Sequence, residues 1–322
     1  MGWGFTNPEN RHEQDRPHQD AEAAELLCVL PMLANLTDLE ANILGGAELE
    51  SLGVVVGEQL DVDETTWDLT SQQHFQPWML KDVSEDFGDP DRGRFIMTWG
   101  WNSWRPKQSK VTWCEMYLRG LAEDLSPKSM GRSTGGRPRH TGQEYSVHLP
   151  YERGTLVNGK TGEQLPYEYS PEWIWFQFFE RKPHLVCITN DTTTAPPSEG
   201  VLFSVVEYTL ELVKYRLWMR RHTGSHTKPI MLVTLQNHEF AIITIAHFDG
   251  SIKKVVLRQS RQLDLRGDEP TPDALLLVRW MASRCVGETR YKDVAEYEDK
   301  LEGKIRRDFS YSSGETFRDC GR

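Results

Sequence analysis

At 322 residues the chain is long enough for one large domain or two small ones, and 11 Trp, 12 Phe and 10 Tyr supply enough bulky apolar surface for a sizeable core. Its 48 acidic against 37 basic side chains leave a formal charge of −11, which argues against a general nucleic-acid binder, since phosphate affinity comes mainly from Lys and Arg displacing counterions. No run reaches the ~18 uninterrupted apolar residues of a membrane span, no apolar stretch follows Met1, and the five cysteines are odd in number and widely scattered. The sequence therefore predicts a soluble intracellular protein, in cytoplasm or nucleus, with free thiols.

In chain order, residues 1–20 are polar, with Pro8 and Pro17, and read as a disordered N-terminus. Residues 21–140 read as a helical and irregular, Trp-rich segment. Its first helix, 21–36, has Ala24, Leu27, Leu30 and Leu33 at helical spacing, with Pro31 expected to kink or end it. A second helix is expected over 37–52, because Thr37 followed three residues later by Glu40 is a capping-box pattern. Trp78, Trp99, Trp101, Trp104 and Trp113 come next among Gly, Asp and Pro, and read as core or loop anchors. An amphipathic helix is expected over 111–125. Residues 127–140 carry Lys128, Arg132, Arg137 and Arg139 without apolar periodicity and read as a basic linker.

Residues 141–290 are the clearest part. Residues 144–149 alternate as a short strand, and 151–171 read as a connector with Asn158-Gly159 and Thr161-Gly162 as turn signals. Residues 173–179 are apolar and suit a strand or a short helix. The run Leu185, Val186, Cys187, Ile188 reads as a buried strand. A long helix is expected over 200–221, its buried stripe formed by Leu202, Val205, Val206, Leu210, Val213, Leu217 and Trp218. Strands over 230–235, 240–248 and 252–257 follow, the last two joined by an Asp249-Gly250 hairpin turn. A final helix is expected from Pro272 to about Cys285, and residues 291–322 form a charged tail.

This order of elements resembles the fungal PD-(D/E)XK nuclease-like proteins over residues 144–287. Residues 143–147 (QEYSV) look like the first strand, with Glu144 where the family usually carries Asp. Residues 181–188 (RKPHLVCI) resemble the way into its second strand, Val206-Glu207 with Trp218 its helix, and residues 235–240 (LQNHEF) its Q-G-H segment. The resemblance implies an α/β fold with a mixed central β-sheet flanked by helices. It also implies where metal-dependent chemistry would sit, for the family needs carboxylates to hold Mg²⁺ and a lysine to activate water. At the acid position this chain has Thr189, which cannot replace an anionic ligand, and at the lysine position Asp191, which reverses the charge.

Two consequences follow for function. The chain is expected to be a catalytically inactive relative of these nucleases, an intracellular binding or accessory protein with no cofactor. The alternative is a Mg²⁺-dependent nuclease whose site has migrated to Glu144, Asp191 and Glu207; Lys214 shares a helix face with Glu207 but stands about 10 Å along the axis. The bland reading of Glu207, Glu211 and Lys214 is a solvated helix face. A pathway enzyme of unrelated chemistry on the same scaffold is a further alternative. For nucleic acid, the candidate contacts are Arg137 and Arg139, because Gly136-Arg137-Pro138-Arg139 has the composition of a minor-groove hook. His222 and His226 stand four apart, but the intervening Gly and Ser place them in a turn.

Overall fold

The computed structural model describes residues 8–39, 41–63, 74–77, 152–157, 164–176, 182–193, 200–220, 222–237, 239–266, 271–281 and 283–294. In chain order these form helix α1 (Pro8–Leu36), strand β1 (Ile43–Leu44), helix α2 (Gly46–Ser51), and strands β2 (Val54–Val56) and β3 (Phe75–Gln76). Strands β4 (Glu152–Val157), β5 (Gln164–Phe176), β6 (Leu185–Asp191) and β7 (Val201–Leu202) follow, then helix α3 (Phe203–Met219). The chain continues through β8 (Ile230–Gln236), β9 (Phe240–Asp249), β10 (Lys254–Gln259), β11 (Leu263–Asp264), helix α4 (Pro272–Met281) and β12 (Arg284–Cys285).

The main sheet runs β2-β10-β9-β8-β6-β5-β4, with β11 added on β9. Strands β6 and β8 are parallel, and α3 is the helix of the crossover between them. Strand β2 lies parallel to β10, and the other pairs are antiparallel. The expected mixed α/β sheet with helices on its faces is therefore present.

Period-two alternation sorts the inner strands between two cores. Leu185 and Cys187 of β6, Ile230 and Leu232 of β8, Ala246 and Phe248 of β9, and Val255 and Leu257 of β10 join the core that contains α1, α2 and α3. Val186 and Ile188, Met231 and Val233, Ala241 and Ile243 join the core under α4 with Trp280 and Met281. Burial on both faces is why these strands read as continuous apolar runs.

Several elements differ from expectation, each for a local reason. Helix α1 begins at Pro8, inside the stretch read as disordered, and continues through Pro17 and Pro31. Each proline removes one backbone hydrogen bond, but Val29, Met32 and Leu36 are buried in the same core as α3, and that packing outweighs the loss. Thr37 does not start a helix. Its hydroxyl donates to Ala34 O at 2.7 Å, closing the end of α1, and the capping contact belongs to α2, where Gly45 N–H donates to the Glu48 carboxylate at 3.0 Å. The connector predicted over 151–171 contains β4 and the first half of β5. Pro166 and Pro171 masked this strand, and a register shift between Pro171 and Trp173 accommodates the second of them. Trp218, assigned to the buried stripe of α3, is 68% exposed. The last helix stops at Met281, and Arg284 and Cys285 pair with Gln76 and Phe75 instead. The expected 144–149 strand, the Trp cluster from Trp78 to Trp113, the 111–125 helix and the basic linker lie outside the described residues.

The start of α3 is fixed by a close approach. Gly200 has φ +124°, and a Cβ there would stand 2.6 Å from Leu44 O, so β7 can pair with β1 only because residue 200 lacks a side chain. Phe203 N–H then donates to Asn42 O at 2.8 Å, which seats the first turn of α3 over the sheet.

Candidate functional site

On the α3 face of the sheet, the apolar residues give way to polar ones toward the carboxyl ends of the two parallel strands. The alternation that turns Leu185 and Cys187 toward α3 does the same for Thr189 and Asp191, and in β8 for Thr234 and Gln236. Register places Thr189 beside Thr234 and Asp191 beside Gln236. All four are buried. The carboxyl end of adjacent parallel strands is where open α/β sheets bind ligands, so this is the place to look for chemistry.

The row is held together internally. Asp191 is 1% exposed. Its Oδ1 accepts Thr193 N–H at 2.8 Å, and its Oδ2 accepts the Ser204 hydroxyl, from the first turn of α3, at 2.5 Å. Thr189 Oγ1 donates to Thr234 Oγ1 at 3.2 Å. Gln262 Nε2 donates to Gln236 Oε1 at 2.9 Å. Asn237, in the left-handed region at φ 47°, donates its N–H to Asp191 O at 2.8 Å, so the loop after β8 is tied to the end of β6. A buried carboxylate that accepts charge-assisted bonds from two sides is a joint between strand and helix.

Of the residues singled out in the sequence, Asp191 and Glu207 fall in this region. Glu207 lies one helical turn beyond Ser204 and is 8% exposed, so it does not belong to a solvated helix face. Lys214 pairs with Glu211. Glu144, Arg137 and Arg139 lie outside the described residues. Ser204 and Thr193, the donors that engage Asp191, are not evident from sequence. The signal that could have found Asp191's orientation is the parity it shares with Leu185 and Cys187.

A Mg²⁺ ion prefers near-octahedral oxygen ligands at about 2.0–2.1 Å. To serve it, Asp191 would have to release both Thr193 N–H and the Ser204 hydroxyl, and Thr189 would offer a hydroxyl already bonded to Thr234. These groups do not fit the ion. Among the described residues no three His, Cys, Asp or Glu side chains gather in a way that could hold a metal.

The other titratable cluster lies near the β3–β12 ribbon. The His74 ring sits 5.1 Å from that of His247 and 6.4 Å from that of His184. Burial pulls His74 down to about 4 and His184 to about 3, each reinforced by a neighbouring histidine. His184 is thus neutral at pH 7, and its Nε2 carries the proton that it donates to Val286 O at 3.2 Å. Lys182 Nζ donates to Cys285 O at 2.7 Å, and Arg216 donates to His184 O at 2.5 Å. The Lys182 and His184 contacts fasten the ribbon to the start of β6, and the Arg216 contact fastens α3 there.

Comparison of the chain with family models, with curated proteins and with solved structures returns no match.

Proposed function

We propose that the chain is a non-catalytic relative of the PD-(D/E)XK nuclease-like proteins, working inside the cell as a binding or accessory protein. The observation that carries this reading is the state of Asp191, both of whose oxygens are engaged by donors of the chain itself. Further support comes from the order of a buried strand, a helix and a parallel strand followed by an antiparallel meander, the order on which the resemblance rests. Thr189 and Asp191, at the positions where the family keeps its acid and lysine, act here as cross-strand and strand-to-helix ties.

Incubation of supercoiled plasmid with the protein and Mg²⁺ or Mn²⁺ tests the reading. The expected result is no nicking above background, for the wild type and for Asp191→Ala alike. Reproducible nicking lost in Asp191→Ala would establish the migrated-site nuclease instead. Binding through Arg137 and Arg139 is tested separately, by retardation of a short A·T-rich duplex at two salt concentrations; if those residues act as a hook, retention weakens as salt rises and weakens further in Arg137→Ala.

A further inference from the structure

A second region has the opposite character. A cleft of about 560 Å³ separates the middle of α1 from the β9–β10 hairpin, within the size range of small-molecule sites. One wall is Glu25 of α1, and facing it are Asp249 and Gly250 of the hairpin turn, with His226 and Tyr291 at the side.

The Glu25 carboxylate is half-buried, and among the described residues none donates a hydrogen bond to it. It rests on the hairpin turn so closely that a Cβ at position 250 would come within 2.8 Å of its Oε1, so a side chain there would force the carboxylate to shift. Asp249 is fixed beside it, its Oδ1 accepting both the N–H and the hydroxyl of Ser251 at 2.9 and 2.6 Å. Lys228, whose charge reaches Glu25, makes its direct contacts elsewhere: its Nζ lies 2.9 Å from Glu22 and donates to Ser225 O at 2.8 Å. Lys253 also lines the cleft and is exposed.

The aromatic wall is a set of rings in mutual contact. Tyr291 stacks on His18 with centroids 4.1 Å apart and meets His226 edge-on at 5.6 Å. Burial, together with Glu25, Glu22 and Asp293, keeps its hydroxyl protonated above the usual tyrosine range, so the same field that would draw in a cation surrounds the ring. Burial, with the charges of Glu22 and Asp249, raises the proton affinity of Glu25, and the Lys228 charge offsets that only in part.

We infer that this cleft binds a small organic cation, an ammonium or guanidinium headgroup, seated between the carboxylates of Glu25 and Asp249 with the Tyr291 ring as its wall. A half-buried carboxylate, with a second and more exposed one beside it and an aromatic face next to both, is the complement of such a group, which gains both charge pairing and cation–π contact. The headgroup comes either from a free amine or from a basic side chain of a peptide.

Titration calorimetry with agmatine, and separately with an N-acetylated, C-amidated Gly-Arg-Gly peptide, tests this, with 1-pentanol as the uncharged control. The expected result is saturable binding of at least one cationic probe below about 10 mM, weakened at least about tenfold in Glu25→Gln and absent for pentanol. Binding of agmatine identifies a free amine as sufficient; binding of the peptide alone identifies a protein side chain. Glu25→Gln removes a charge whose burial Lys228 offsets only in part, so its melting temperature should not fall, and Gly250→Val, which displaces the carboxylate without deleting it, should weaken binding too. Silence of both probes, or equal affinity in wild type and Glu25→Gln, would overturn the inference.

Discussion

The carboxylates of Asp191 and Glu25 make an instructive pair. Asp191 sits where sequence resemblance points to chemistry, yet it is sealed, accepting hydrogen bonds from Thr193 and Ser204. Glu25 belongs to no motif, yet it borders a cleft and accepts none from the described residues. The difference teaches that a carboxylate's availability is set by the donors around it rather than by its place in a pattern. Desolvation is common to both; only compensation differs.

The largest expected effect comes from a third carboxylate lying beside the cleft. Lys228 and Glu22 are 6% and 2% exposed, and Lys228→Met would leave a buried anion unpaired, at a cost of roughly 3–5 kcal/mol. Urea unfolding should show that loss, and the double variant with Glu22→Gln should recover most of it. Failure of the double variant to recover would mean that the cleft wall depends on more than charge pairing.

The next effect concerns pH, and it sets the window in which the two carboxylates can be compared. His74 and His184 have folded values near 4 and 3, below the ordinary 6.5, so the unfolded chain takes up protons first as pH falls. Their contribution is complete above about pH 6.5 and declines as pH drops from there toward their folded values, by about 1.4 kcal/mol per pH unit for each. Melting temperature should therefore fall between pH 7 and 5, and the fall should be shallower in His74→Gln. A flat profile would contradict neutral burial of these rings.

Smaller again is the strand-to-helix joint. Ser204→Ala removes one donor from Asp191, and a loss of about 1–3 kcal/mol in unfolding free energy is expected. A neutral result would mean that Asp191 is less tightly engaged than its contacts imply. The smallest effect is at Glu25, where Gln should leave stability unchanged or slightly raised; a clear loss would show that Glu25 is structural, as Asp191 is, and would erase the contrast.

Much of the scaffold was legible because its signal is local. The apolar runs of β6 and β8, the helical stripe of α3 and the Asp249-Gly250 turn follow directly from periodicity and turn chemistry. The misreadings occur where tertiary packing overrides a local rule. Prolines argue against strand and helix interiors, yet β5 takes up Pro171 at a register shift, and α1 passes Pro31 because its apolar side is buried in the α3 core. Trp218 has the right spacing for the buried stripe, but it lies in the last turn of α3 and is exposed. At the candidate site, sequence identified Asp191 and Glu207 but not the serine and threonine that engage the aspartate, since a hydroxyl thirteen residues away carries no pattern. The cleft was illegible for a similar reason, as its walls come from α1, a hairpin and Tyr291, far apart in the chain.

On the reading proposed above, Asp191 is a structural joint rather than a metal ligand. The most direct test is the melting temperature of the wild type and of Asp191→Asn, measured at pH 7.5 across a titration of Mg²⁺ and then of Mn²⁺. A ligand that binds the native state raises its stability in a saturable way. If Asp191 is a joint, both curves are flat and the variant melts lower throughout; a saturable rise in the wild type that vanishes in Asp191→Asn would show a metal ligand instead.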